Sequence, residues 1–175
     1  MRHKNNNIVL VGFMGVGKGT LAREMVKQDS SFYAIDTDDM IESYTNTKVK
    51  KIFTTAGESA FRSLEQKTAN WLVKSVKNAI ISTGGGFYKV NDLKKIGTVV
   101  YLKADFEWIL NRILNAHNAK KKLKKRPLFK DLKKAKKLYD DRLKEYKRVA
   151  DITIDVSSGE LSKIAEKILK EVAKE

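Results

Sequence analysis

Cysteine is absent from the chain, so disulfides and Cys-based zinc sites are excluded and a reducing compartment is fully compatible. Proline occurs once among 175 residues, which argues for a packed, helix-rich domain rather than a disordered chain. No apolar stretch approaches the ~20 residues of a membrane helix, and the apolar run near the N-terminus is too short for a signal peptide. These absences predict a single-domain cytoplasmic protein with no membrane partner. Acidic residues are also in short supply, 21 against 36 basic ones, leaving a net charge of +15. Six of the seven residues in "KKKLKKR" (120–126) are basic. No aromatic residues are interleaved with them, as a single-strand binder would need, and no zinc-finger or RNP signature is present. The charge therefore reads as a solvated lysine-rich surface or a site for phosphates, and no nucleic acid is expected.

Short β-branched runs alternate with helical patterns. Strands are expected at 7–12, 32–36, 79–84, 98–103 and 151–155, with helices between them. This order predicts an α/β fold of three layers, a five-stranded, mostly parallel sheet covered by helices on both faces. Two segments exceed what a crossover needs. Residues 37–77 separate the second and third strands, and the acceptor-binding region is placed within them at about 37–65. Residues 116–130 are polar, lysine-rich and weakly periodic, the expected character of a mobile lid.

The stretch "GFMGVGKGT", 12–20, follows the first strand and opens a helix. It nearly fits G-x-x-x-x-G-K-[ST], in which backbone N–H groups cradle phosphates and the hydroxyl after the lysine reaches magnesium. Gly15, Val16, Gly17, Lys18, Gly19 and Thr20 are the expected nucleotide contacts, with Lys18 between the β- and γ-phosphates. Gly19 stands in the hydroxyl slot, and Thr20 comes one residue late, rotated ~100° around the helix. The metal must then rely on phosphates, water, Thr20 through a bound water, and a carboxylate elsewhere. Magnesium commonly retains several waters, so this is chemically reasonable.

The acceptor side is sought at the carboxyl ends of the strands. Asp36 and Asp38 in "IDTDDMIE" can divide the work between a metal-bound water and a substrate hydroxyl, or simply cap a helix. In "GESAFRSLEQKTANWL", 57–72, Phe61, Leu64, Thr68 and Leu72 define the expected inward stripe, with Glu58, Arg62 and Glu65 on its flank. Arg62 is either a carboxylate receptor held by its neighbours or part of an ion-pair ladder. Gly84, Gly85 and Gly86 let a ligand approach the main chain. In the helix expected at 132–150, Arg142 falls inside the stripe of Leu132, Ala135, Tyr139, Leu143, Tyr146 and Ala150, where a charge needs a partner. Arg148 points away from it. Arg126 in "RPLF" is placed to swing onto a transferring phosphate.

Taken together, "GFMGVGKGT", "IDTDDMIE", "IFTTAGESAFRSLE", "ISTGGGF", "KRPLF" and "RLKEYKRVADITID" resemble the shikimate kinase family, in the family's order and over nearly the whole chain. The resemblance implies a P-loop, nucleoside-monophosphate-kinase-like fold. It implies transfer of the ATP γ-phosphate to the 3-hydroxyl of shikimate, a step toward chorismate and the aromatic amino acids, with magnesium as cofactor and a monomeric enzyme. It further implies that Asp38 holds the reacting hydroxyl and acts as its base, that Arg62 and Arg142 clamp the shikimate carboxylate, and that Gly85 offers its N–H. Asp36 would reach magnesium through water, Lys18 would stabilise the transferring phosphate, and Arg126 would close over the nucleotide. The chain departs from the family at Gly19, where Ser or Thr is usual. The alternatives are another small-molecule kinase of this fold, acting on gluconate or a nucleoside monophosphate, or a basic P-loop binding protein without catalysis.

Overall fold

The computed structural model describes residues 5–117, 119–124 and 127–174. Its order is β1 (Ile8–Val11), α1 (Lys18–Gln28), β2 (Tyr33–Asp36), α2 (Thr37–Thr45), α3 (Val49–Ser75), β3 (Ala79–Ser82), α4 (Leu93–Ile96), β4 (Thr98–Lys103), α5 (Phe106–Leu114), α6 (Ala119–Lys124), α7 (Leu132–Val149), β5 (Ile152–Asp155) and α8 (Leu161–Val172). The five strands form one sheet in the order β2-β3-β1-β4-β5, and every pairing is parallel. The central strands are buried along their length, Ile8–Val11 and Ala79–Ser82 among them. That is why they read as continuous apolar runs rather than alternating ones.

This strand order places a topological switch at β1. The chain leaves β1 toward β2 on one side, and after β3 it crosses to β4 on the other, so a crevice opens beyond the carboxyl ends. Register aligns those ends, because Asp36 lies opposite Ser82 and Ser82 opposite Leu10. The main core runs through the sheet and both helix layers. Phe13, just past β1, packs edge-on against Phe106, Phe129 and Tyr139. Phe129 is buried, so the end of the lysine-rich segment is tied into the core beside the glycine-rich loop.

A second, small core of Ile41, Ile52 and Phe61 lies beneath the 37–65 region. There α3 is interrupted at Gly57, whose φ of 82° and ψ of 175° break the helical path. Beyond the break the inward stripe is not the one expected. Phe61, Glu65, Ala69 and Leu72 are buried, while Leu64 and Thr68 are only half-buried. Glu65 can turn inward because Arg62, one turn earlier, neutralises it. On α7 the stripe also shifts: Ala135, Tyr139, Arg142, Tyr146 and Val149 are buried, whereas Leu132 is 46% exposed. Among the described residues no helix is long and apolar enough to cross a membrane.

Candidate active site

The glycine-rich loop joins β1 to α1. Gly17, at the N-cap of α1, has φ 111°, a left-handed conformation open to glycine at little cost. Its lack of a Cβ also admits the Arg112 guanidinium, whose Nη2 lies 2.9 Å from where that Cβ would be. Arg112 comes from α5, donates to the Gly15 carbonyl at 3.0 Å and sits over the Trp108 ring. Lys18 is buried at 7% exposure and donates to the carbonyls of Gly12 and Phe13 at 2.7 and 3.1 Å. The loop thus presents an ammonium and a helix N-terminus, the two groups that polyphosphate binding requires. Val16 is buried in the core, Gly15 is half-buried at the mouth, and Thr20 is exposed in the first turn of α1.

Beside the loop, Asp36 caps α2. Its Oδ1 accepts from the N–H groups of Asp38 and Asp39 at 3.0 and 3.2 Å, and its Oδ2 accepts from the Ser82 hydroxyl at 2.9 Å. A carboxylate has about four lone-pair sites, so Oδ2 retains one for a further donor. That donor would arrive from the direction of Gly19, because a Cβ there would lie 3.9 Å from Oδ2. Among the described residues no cluster of three or more acidic, His or Cys side chains could enclose a metal ion. The donor set fits a cation carried by phosphates and solvated toward Asp36 and Ser82, and it does not fit an all-protein cage.

The opposite wall is built from α2, α3, the Gly84–Gly86 turn and α7. Arg62 donates through Nη1 to Glu65 Oε2 at 2.5 Å and through Nη2 to Glu58 Oε1 at 2.8 Å. Its Nη1 lies 2.3 Å from the place a Gly86 Cβ would occupy, so a side chain there would push the guanidinium aside. Across the turn, Arg142 Nη1 reaches within 3.0 Å of the corresponding position on Gly85, and Tyr146 donates its hydroxyl to the Gly85 carbonyl at 2.6 Å. Asp38 Oδ1 and Glu65 Oε1 both face Gly84, at 2.7 and 3.2 Å from its Cβ position.

Three buried side-chain atoms in this wall have no hydrogen-bond partner among the described residues: Asp38 Oδ1, Glu65 Oε1 and Arg142 Nε. Each such atom costs about 1–3 kcal/mol, and more when its group is charged. A cleft that gathers two acceptors and a cation in this condition is prepared for a ligand carrying both hydroxyl donors and an anionic group. Burial, reinforced by the negative charges of Asp36 and Glu65 and opposed by Lys18, pushes the Asp38 carboxyl up to about 7. Burial also raises Glu65, against the pull of Arg62, Arg142 and Lys89. A carboxyl poised near neutrality suits proton transfer.

The fold therefore brings Lys18, Gly19, Asp36, Asp38, Arg62, Gly84, Gly85, Gly86 and Arg142 around one open cleft. Arg126 lies outside the described residues. Two other cavities, about 740 Å³ beside Tyr88 and Arg148 and about 510 Å³ beside Thr45 and Lys67, are lined by none of these residues. Sequence reasoning missed three contributors. Ser82 looked like the end of a strand, and Glu65 like a flanking ion-pair partner. Arg112 offered only a weak clue, a cation four residues after Trp108 in a largely apolar helix.

The family model described as shikimate kinase matches residues 14–173. A shikimate kinase from Helicobacter hepaticus is 41% identical over 169 residues, covering 97% of this chain and 97% of its own. A solved structure of shikimate kinase from Acinetobacter baumannii in complex with shikimate superimposes with a TM-score of 0.83 at 31% identity, over 98% of this chain and 95% of that one. A gluconokinase from Sinorhizobium meliloti shares the fold at a TM-score of 0.63, with 15% identity over 99% of this chain and 94% of that one. At that identity the likeness concerns architecture alone.

Proposed function

The chain belongs to the shikimate kinase family and phosphorylates shikimate with ATP on the way to the aromatic amino acids; we propose how its own residues carry out that transfer. The carrying observation is the group of three unpartnered atoms on Asp38, Glu65 and Arg142. A cyclohexene carboxylate bearing hydroxyls supplies hydrogens for the two acidic residues and an anion for the arginine, which a neutral or purely cationic ligand does not.

In this reading Asp38 accepts the hydrogen of the shikimate 3-hydroxyl and takes its proton as the phosphate arrives. Arg142, with Arg62, holds the substrate carboxylate, and the Gly85 N–H assists. Glu65 is a positioning residue that fixes Arg62 through their 2.5 Å contact. Lys18 leaves the carbonyls of Gly12 and Phe13 for the phosphates and follows the charge of the transferring group. Gly15, Val16, Gly17 and Gly19 wrap the polyphosphate with main-chain N–H groups, and Arg112 walls the nucleotide side of the loop. Arg126 closes over the nucleotide from the lid. Magnesium, when bound with ATP, neutralises developing charge on the phosphate oxygens. Asp36 and Thr20 would contact it through water. Positioning and electrostatic stabilisation dominate, since phosphoryl transfer asks for little covalent chemistry from the protein. The enzyme acts as a cytoplasmic monomer.

A coupled assay of ADP release across shikimate, gluconate, AMP and CMP tests this reading. Magnesium-dependent turnover with shikimate, and not with the other three, is the expected result. Its absence, with the protein folded, would refute the reading.

A further inference from the structure

The residue after the loop lysine in a P-loop ordinarily gives a hydroxyl to the metal, and here it is Gly19. The backbone does not demand that glycine: its φ lies outside the left-handed region. A Cβ on it would meet Ser82 Oγ at 3.5 Å, Arg23 Nη1 at 3.7 Å and Asp36 Oδ2 at 3.9 Å, all ordinary contacts. The fold would accept a serine, so the glycine alters what a ligand meets rather than how the chain folds.

The neighbours cannot supply the missing oxygen directly. Asp36 is anchored at both ends, through Oδ1 to two N–H groups of α2 and through Oδ2 to Ser82. Swinging onto a cation would uncap the helix. Thr20 is exposed and lies one residue further around α1, rotated by ~100°. On the same side as Ser82 and Asp36, the Arg23 guanidinium repels a cation that comes close.

Building on the reading that this cleft binds a metal–nucleotide, we propose that no protein side chain enters the inner shell of its divalent cation. Phosphate oxygens and water alone fill that shell, and Asp36 and Ser82 accept hydrogen bonds from the bound water. The protein thus recognises the metal through the nucleotide and its hydration, not by ligation.

Manganese(II)–ADP and the full chain provide the test, using electron paramagnetic resonance in ¹⁷O-labelled water and with ¹⁷O-labelled phosphates. In the wild type, labelled water and phosphate oxygens together should account for all ~6 octahedral positions. A position that neither label broadens would overturn the proposal. Gly19→Ser should show one bound water fewer and hold manganese(II)–ADP about tenfold more tightly, whereas Gly19→Ala and Thr20→Val should keep the wild-type water count. A water gained in Thr20→Val, or no change in Gly19→Ser, would also overturn it. Should folded wild-type protein fail to bind manganese(II)–ADP at all, the nucleotide reading itself falls and the proposal with it.

Discussion

The two sides of the cleft handle polar groups in opposite ways. On the nucleotide side, the Lys18 ammonium rests on the Gly12 and Phe13 carbonyls, and Arg112 covers the Gly15 carbonyl. On the acceptor side, Asp38, Glu65 and Arg142 each keep a buried atom without a partner. The first side satisfies itself and must exchange bonds when a ligand arrives. At those three atoms the second side is preorganised, so a ligand there adds bonds without breaking any, and the empty protein carries the cost as lost stability. The difference teaches where the fold leaves a demand for a ligand: the loop already bonds to itself, whereas a hydroxyl and carboxylate pattern would relieve the three unpartnered atoms of the acceptor wall.

The largest effect should come from breaking the acceptor wall at its proton acceptor. Asp38→Asn should lower kcat by about 10²–10⁴ while leaving the dissociation constant for ADP close to wild type, as followed by steady-state kinetics and calorimetry. A kcat within threefold of wild type would remove Asp38 from the chemistry.

Next in size, Arg142→Ala should raise the KM for shikimate. Removing a charge-assisted contact costs about 1.5–3 kcal/mol, or roughly 10–150-fold, with little change in the KM for ATP. An unchanged shikimate KM would contradict the carboxylate assignment.

Core packing beneath the loop sets a third scale. Phe13→Ala should cost about 3–5 kcal/mol of stability, because the ring joins Phe106, Phe129 and Tyr139. Denaturant midpoints read this directly.

The last effect has the opposite sign and is the sharpest test of the comparison. Because Asp38 titrates at about 7 in the folded protein rather than at its ordinary 3.8, the folded state holds a proton that the unfolded state has released. The stability from this group is complete below pH 3.8 and is lost as pH rises through 7. Asp38→Asn should therefore be more stable than wild type at pH 8, with the advantage shrinking toward pH 5. In a chain of this size each kcal/mol recovered raises Tm by about 2–4 °C. A variant no more stable at pH 8 than the wild type would show that the acceptor wall carries no such cost.

How much of this was legible in the chain follows from how far apart the determining residues lie. The strands at 7–12 and 98–103 were readable because β-branched apolar runs buried on both faces need no alternation. The loop at 12–20 was readable because its glycines, lysine and helix start are sequence neighbours. The stripe of α3 was misplaced by one position. Periodicity alone prefers Leu64 and Thr68 inward, whereas the ion pair between Arg62 and Glu65 makes an inward glutamate affordable. Arg142 was legible as a charge on an inward face, though the atoms it faces were not.

By itself, then, the sequence determined the order of elements, the parallel sheet and the phosphate loop, since propensity, hydrophobic period and backbone geometry act over a few residues. Tertiary structure decided what shares the cleft. Packing across the switch point set Ser82 against Asp36, brought Arg112 over the loop and gathered Asp38, Glu65 and Arg142 around Gly84–Gly86. Those neighbours are tens of residues apart in the chain, and the charges that tune Asp38 act through space in a low-dielectric interior, where only the folded arrangement fixes their distances.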